Sequence, residues 1–263
     1  MIIAYNITAT ALNTFEEYMW NISQNIANAN TSAYKGRVVQ LENNFPFLLS
    51  DAITDLNDDG FDVQGRKKRV YEIGTGVRVA DVTTDVSQGP IERTGRAYDL
   101  AVQGDGYFRF RRPSGKYAYG RAGAFERSKD GLLVDVYGNV LDPPIRIPAD
   151  ATDVSIDLQG QVRIKINNHD DDYVAGRVLL AVFPNPEQLQ PVGQRLYVPT
   201  VASGEARLIQ PFHKNAGKII QESMESSNVN IVDQMMKLVV NQRSFQVSSK
   251  AFIVTDAILK AGM

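Results

Sequence analysis

Residues 231–260, IVDQMMKLVVNQRSFQVSSKAFIVTDAILK, repeat an apolar side chain every seven positions. The first row of this repeat contains Ile231, Leu238, Phe245, Phe252 and Leu259. A seven-residue apolar period is typical of a helix that packs along another helix. The stretch therefore predicts a long C-terminal helix, with Ser227 or Asn228 as its N-cap and Gly262 as its stop.

A second apolar row follows the same helix at the same period and contains Val240, Val247 and Val254. At about 100° per residue, this row lies roughly 200° around the helix from the first. Part of the arc between the rows is filled by Val232, Met235, Met236 and Val239. A helix with one ordinary contact shows a single apolar stripe, so this helix is expected to touch more than one neighbour.

The N-terminal 30 residues carry a similar pattern. They contain neither Gly nor Pro and predict a helix. Its apolar residues, spaced by 3, 4, 3 and 4 positions, are Leu12, Phe15, Met19, Ile22 and Ile26. Helices at opposite ends of a chain can pair as a hairpin within one subunit. Surplus apolar surface is then expected to face other subunits.

The region between the predicted helices has a different character. Strand-like runs, such as residues 107–110 and 178–183, alternate with turns rich in Gly, Asp and Asn. Short strands at this spacing predict a compact all-β domain. The fold class is therefore predicted as α+β, with a helical assembly domain (1–35 and 223–263), an extended or hairpin-like connector (36–70) and a β-rich domain (71–222).

Composition excludes several classes of protein. The absence of Cys rules out disulfides, zinc–thiolate sites and thiol catalysis. The net charge is −2, and the only basic run, residues 66–69, has acidic neighbours, so neither nucleic acid nor a membrane is an expected partner. No stretch approaches the ~20 apolar residues of a membrane span. The first Lys or Arg is Lys35, so the sequence lacks the basic start of a secretory signal.

Motifs for catalysis or metal binding are incomplete. Residues 55–60 match the first half of a calcium loop, but Arg66 stands where the loop needs a bidentate Glu. The segment 169–172, His-Asp-Asp-Asp, is interpreted as a solvated acidic turn. The glycines of 74–77 and 104–107 do not continue into a phosphate-binding loop and are interpreted as tight turns. We therefore expect no catalytic residue, no metal and no cofactor.

Three segments of the chain resemble the flagellar rod–hook family of axial proteins. They are residues 24–35, QNIANANTSAYK; residues 98–108, YDLAVQGDGYF; and the C-terminal pair 225–230, ESSNVN, with 242–251, QRSFQVSSKA. Ala33 stands where the family usually has Gly, and Ser244-Phe245 replaces its usual Ala-Tyr. If the turn at Ala33 needs a positive φ, the Cβ atom costs on the order of 1 kcal/mol.

The resemblance implies a subunit that polymerises into a tube, with paired terminal helices inside and a β domain outside. It also implies that the tube crosses the periplasm, carries torque and encloses the export channel, and that the subunit leaves the cell without a cleaved signal peptide. The implied partners are further copies of the chain, the proximal rod, the hook and the surrounding ring proteins. The residues implied to lie at subunit interfaces are the apolar rows of both predicted helices, together with Asn28, Asn30 and Tyr34.

Within this family, the modest length and residues 73–77, IGTGV, look most like the distal rod proteins. Residues 36–70 fall where those proteins carry extra chain. The residues alone leave three alternatives. One is a proximal rod or hook-like axial subunit. A second is a monomeric coiled-coil adaptor with no exposed apolar stripe. The third is an enzyme of unknown type, which only a deep polar pocket in the β domain would favour.

Overall fold

The computed structural model of the chain describes residues 2–45, 47–50, 70–166, 173–213 and 216–261. A helix stands at each end, α1 (Ile2–Ala27) and α2 (Ile231–Ala261), and the described residues between them form strands and one short 3-10 helix, Pro186–Gln188. The predicted α+β class is confirmed. None of the described helices is long and apolar enough to cross a membrane.

The strands between the helices are short. In chain order they are β1 (Arg37–Asn43), β2 (Phe47–Ser50), β3 (Val70–Ile73), β4 (Val77–Thr84), β5 (Ile91–Arg93), β6 (Leu100–Gln103), β7 (Tyr107–Arg111), β8 (Tyr117–Gly120), β9 (Phe125–Arg127), β10 (Leu133–Asp135), β11 (Val140–Asp142), β12 (Ala151–Ile156), β13 (Gln161–Ile166), β14 (Tyr173–Arg177), β15 (Leu180–Val182), β16 (Gln190–Pro191), β17 (Leu196–Val198), β18 (Arg207–Ile209), β19 (Lys218–Gln221) and β20 (Ser223–Glu225).

The chain divides into two compact units. The first comprises Met1–Gln24, Val38–Val82 and Val232–Met263, and the second comprises Asn25–Arg37 and Thr83–Ile231. In the first unit, β1 pairs with β4 and β2 pairs antiparallel with β3. The domain boundaries drawn from the sequence stay a prediction. Residues 46 and 51–69 of the predicted connector lie outside the described residues.

Within the first unit the two ends of the chain pack together. The rings of Tyr5 and Phe252 lie 4.7 Å apart, centroid to centroid. The Asn241 side-chain amide donates to the carbonyl oxygen of Phe15 at 2.8 Å. The Thr14 hydroxyl donates to the carbonyl of Val77 at 3.1 Å, which ties α1 to β4. At Gly76, φ is +110° and an added Cβ would overlap Thr10, so the close approach of β4 requires glycine there.

The second unit is built on a nine-stranded sheet. Seven strands follow the order β16-β17-β8-β7-β11-β10-β9, and β15 pairs with both β7 and β18. Side chains of strand β7 alternate between the core and the opposite face of the sheet. Phe108 and Phe110 are fully buried in the core, whereas Arg109 points the other way and pairs with Asp142. The Phe108 and Phe125 rings meet edge to face at 5.3 Å. Each large side chain buried in this core contributes about 1.5–3 kcal/mol.

Smaller ladders complete the second unit. Strands β12, β13 and β14 form an antiparallel sheet, β19 pairs with β6, and β20 pairs with β5. Two local expectations were wrong. The strand predicted over 178–183 is limited to β15, and α2 begins at Ile231, so Asn230 precedes the helix in place of Ser227 or Asn228. In the structure, Ser227 and Asn228 serve other hydrogen bonds.

Candidate assembly surfaces

The first apolar row of α2 is half-buried. Its described side chains belong to Ile231, Leu238, Phe245 and Phe252, and the side chain of Leu259 lies outside the described part of the helix. The Phe252 ring contacts Tyr5 of α1. In α1, Ile22 is buried, and Leu12, Phe15, Met19 and Ile26 are half-buried.

The second apolar row of α2 is exposed. Val240, Val247 and Val254 keep 64, 68 and 57 % of their surface accessible. The same helix exposes Val232, Met235, Met236, Val239, Ile253 and Ile258. Several uncovered apolar side chains on one helix are typical of an interaction site.

A groove of about 460 Å³ lies within the first unit, beside this exposed surface. It is lined by apolar groups of both helices and of β1, including Phe15, Tyr18, Leu41, Met236 and Val240. Leu41 itself is about half exposed. Val240 belongs to both the groove and the second row, so the two apolar surfaces of the first unit adjoin.

Trp20 was not among the residues singled out from the sequence. It lies outside the spacing of the predicted apolar row of α1, and 55 % of its surface is exposed. Its residue type could have singled it out, because it is the only Trp of the chain and follows two glutamates, Glu16 and Glu17.

The Asn-rich turn after α1 is held by one amide. The Asn25 side chain donates to the carbonyl of Arg37 at 2.9 Å, and its oxygen accepts from the Arg37 N–H at 2.9 Å and from the Tyr34 hydroxyl at 3.2 Å. Burial is the main cause that raises the pKa of Tyr34. Of the predicted interface residues in this turn, Asn30 is exposed, whereas Asn28 and Tyr34 are half-buried.

Ala33 occupies the left-handed region of backbone conformation. Its φ is +55°, and its side chain is buried. Its N–H donates to the carbonyl of Glu225 at 2.8 Å. The turn therefore needs the conformation that glycine adopts freely, and the chain accepts the steric cost of a Cβ atom.

A buried ion pair joins the first and third resembling segments. The Lys35 ammonium donates to the Glu225 carboxylate at 2.6 Å and to the carbonyl of Ser87 at 2.6 Å. The same carboxylate oxygen accepts from the N–H of Gly89, and Arg121 lies 3.6 Å from the other oxygen. Burial lowers the pKa of Lys35, and the charge of Glu225 opposes part of that shift.

Tyr107, in the second resembling segment, also contacts this cluster of charged residues. The guanidinium of Arg121 lies 5.1 Å from the ring centroid of Tyr107. Burial raises the pKa of Tyr107, and Arg121 opposes that shift. Asn228 adds a further link: it accepts from the N–H of Gly36 and donates to the carbonyl of Asp85. We name the cluster of Lys35, Arg121 and Glu225 the buried junction.

The described residues offer little for catalysis. No group of three or more His, Asp or Glu side chains in this part of the chain is placed to hold a metal ion. The two candidate metal segments, 55–66 and 169–172, lie wholly outside it. What the geometry supplies instead is an uncovered apolar face and a rigid, buried junction.

Two models of known protein families match parts of the chain. Residues 101–164 match the family model of the flagellar hook protein FlgE/F/G D1 domain, and residues 220–263 match that of the flagellar basal body rod FlgEFG protein C-terminal region. The matched segments contain part of the large core and the whole of α2.

Similar proteins cover almost the whole chain. The flagellar basal-body rod protein FlgG of Caulobacter vibrioides is 33% identical over 240 residues, 91% of this chain and 90% of that protein. The FlgG of Agrobacterium fabrum is 33% identical over 96% of this chain and 95% of its own length, and that of Bacillus subtilis is 32% identical over 95% and 94%. The chain therefore belongs to the flagellar basal-body rod protein family, as a structural subunit of the distal-rod group and not as an enzyme.

Proposed function

We propose that this subunit polymerises through its own terminal helices into a tube that transmits torque across the periplasm and encloses the export channel. Its proposed partners are further copies of itself, the proximal rod below, the hook above and the ring proteins around the tube. The predicted interface residues are proposed to lie between subunits or between the paired helices of one subunit.

The exposed apolar surface of α2 carries this proposal. A closed, monomeric coiled coil would cover both apolar rows, whereas the second row of α2 stays open in the folded chain. Each such side chain that becomes buried between subunits contributes about 1.5–3 kcal/mol. Burial of several such side chains per subunit therefore favours stacking. A surface that meets a different surface of the next copy builds an open helical array instead of a dimer.

The buried junction supports the role in torque. Within the second unit it ties the turn that follows α1 to strand β20, which precedes α2. Its ion pair is almost fully excluded from solvent, with 2 and 0 % of the two side chains accessible. A mechanical load carried along either helix reaches this segment. The segment cannot shift without separating the pair and leaving a buried charge uncompensated, which is costly.

The test removes the second row without disturbing the first. The triple variant Val240→Ser, Val247→Ser, Val254→Ser should keep its helix content, because Ser and Val have similar helix propensities. Its polymers should be lost in sedimentation and electron microscopy. The matched control is Gln242→Ser, Gln246→Ser, Lys250→Ser on exposed polar positions of α2. Normal tubes from the valine variant would overturn the proposal.

A further inference from the structure

A groove of about 710 Å³ lies within the second unit, in the size range of clefts that hold ligands, roughly 300–1,000 Å³. The Asn-rich turn forms one wall and the β16–β17 loop forms the other. Three basic residues line it, Lys35, Arg37 and Arg195, and none of its described lining residues is acidic. Lys35 is neutralised by Glu225, whereas Arg37 and Arg195 form no ion pair with any described residue. We name it the basic groove.

The loop that carries Arg195 is strained. Gly193, Gln194 and Arg195 have φ values of +84°, +55° and +60°. In the left-handed region the Cβ atom of a side chain lies too close to the backbone, so two consecutive residues with side chains carry a steric cost there. Strain of this kind persists where surrounding structure holds it, and it concentrates at functional sites.

Arg195, in the strained loop, reaches across the groove to the Asn-rich turn. The Arg195 guanidinium donates to the hydroxyl of Ser32 at 2.7 Å and to the Ser32 carbonyl at 3.2 Å. It also lies 6.0 Å from the ring centroid of Tyr137. Arg195 is thus fixed in place by neutral partners, and its charge is not compensated within the described residues.

A complementary surface lies on the other unit of the chain. On α1 the exposed residues Asn13, Glu16, Glu17, Trp20 and Ser23 recur at the spacing of one helix face. No Lys, Arg or His occurs in α1, and neither glutamate forms an ion pair with a described residue. Trp20 is a large aromatic left more than half exposed, one helical turn after these glutamates. We name Glu16, Glu17 and Trp20 the acidic–aromatic face.

We infer that, in the polymer, the acidic–aromatic face of one copy docks in the basic groove of an adjacent copy. The inference rests on the proposed function. Carboxylates form their strongest hydrogen bonds with guanidinium groups, and a Trp ring is the best aromatic partner for a cation. Because the face and the groove are different surfaces, the contact is heterologous and propagates from copy to copy. It is separate from the apolar stacking of α2.

A photo-crosslinker placed at position 20 tests the contact directly. The full chain with Trp20→p-benzoylphenylalanine is polymerised as a mixture of isotope-labelled and unlabelled copies, irradiated and digested. Mixed-label cross-links to peptides containing residues 28–37 or 191–197 are expected. The control places the same crosslinker at Tyr173, which is exposed on the second unit, and should give no cross-link to these peptides. Normal polymers that cross-link from position 20 only to other peptides overturn the inference and leave the proposed function standing.

A charge exchange gives an independent test. Arg195→Glu and the pair Glu16→Arg, Glu17→Arg should each raise the critical concentration for polymerisation roughly tenfold, whereas their combination should restore it to within about threefold. Glu187→Arg, at an exposed position outside the groove, is the charge control. Circular dichroism checks that each monomer folds, and Arg37→Glu replaces Arg195→Glu if the latter does not. A combined variant no better than the worse parent contradicts the contact. A chain that never polymerises overturns the proposed function and this inference with it.

Discussion

At the scale of the residue, the buried junction contains two cations and one anion. Glu225 neutralises Lys35 and stands 3.6 Å from Arg121. Removing either partner of a buried pair leaves a charge uncompensated, but the two removals are not equivalent here. Without Lys35 the carboxylate keeps Arg121, whereas without the carboxylate two cations face each other.

We therefore predict an order of effects. Glu225→Gln should lower the free energy of unfolding by roughly 3–5 kcal/mol. Lys35→Met should lower it by roughly 1–3 kcal/mol. Urea unfolding of the monomer, followed by tyrosine fluorescence of the second unit, measures both. Equal losses, or a greater loss for Lys35→Met, would contradict the view that Arg121 shares the carboxylate.

The strained turn at Ala33 leads to a second prediction. Ala33→Gly should raise the free energy of unfolding by up to about 1 kcal/mol, because glycine adopts a positive φ without a Cβ clash. The matched control is Ala118→Gly. Ala118 is equally buried but lies in β8 without a positive φ, so its replacement should destabilise by about 0.5–1 kcal/mol. Melting temperatures of the two variants that shift in the same direction would refute the explanation.

The tyrosines near the junction predict a loss of stability at alkaline pH. Burial, with smaller effects of Tyr107 and Tyr34, raises the pKa of Tyr197 to about 12. Since an unfolded tyrosine ionises near pH 10, its contribution to stability is complete below pH 10 and is lost as the pH rises towards 12. The loss is on the order of 3 kcal/mol for a shift of about two units. Tyr197→Phe should flatten that part of the curve of unfolding free energy against pH. Parallel curves for the two proteins would argue against it.

At the scale of the element, α2 is a helix with two different apolar faces. The first row is half-buried and includes the ring contact of Phe252 with Tyr5, whereas the second row is exposed. Phe245→Asp places a charge in the first row without a partner, which is costly. We expect this variant to lose assembly in sedimentation while the melting of the second unit is unchanged. Gln246→Asp, one position along and exposed, is the control and should assemble. Tubes of normal yield from Phe245→Asp would show that the first row is not needed for assembly.

The sequence predicted the helices more closely than the strands. Seven-residue periods over many turns are a strong signal, and α1 and α2 were predicted nearly to their ends. Strands such as β9 and β16 have only two or three residues, too few for a period to show. The pairing of Lys35 with Glu225 joins distant segments, so no local pattern could predict it. Trp20 was overlooked because its importance depends on exposure, which a single sequence does not contain.

At the scale of the whole molecule, the two units differ in what holds them. The second unit has a large buried core of aromatic and aliphatic side chains, including Phe108, Phe110 and Phe125. The described residues of the first unit contribute no side chain to either cluster of buried apolar residues. Long helices without a packed core are marginal in water. The first unit is therefore expected to open more easily in the free subunit than the second.

Limited proteolysis of the dilute monomer should show this difference. We expect rapid cleavage within the first unit, including both ends of the chain, and resistant fragments from residues 25–37 and 83–231, identified by mass spectrometry. In the assembled polymer the same ends should become protected, since α1 and α2 would then be covered by neighbouring copies. A monomer whose ends resist the protease as well as its centre would favour the closed coiled-coil adaptor.

The buried junction also has a consequence for the time course of folding. Lys35 and Glu225 are 190 residues apart in sequence, so their pair has a very high contact order. Contacts of this kind close late, because the chain between them must first be ordered or constrained. If the N-terminal end of a subunit reaches the assembly site first, the junction cannot form until residue 225 has also arrived. We therefore expect the ion pair to form late in folding. The Ala33 N–H cannot reach its acceptor, the carbonyl of Glu225, until nearly the whole chain is present.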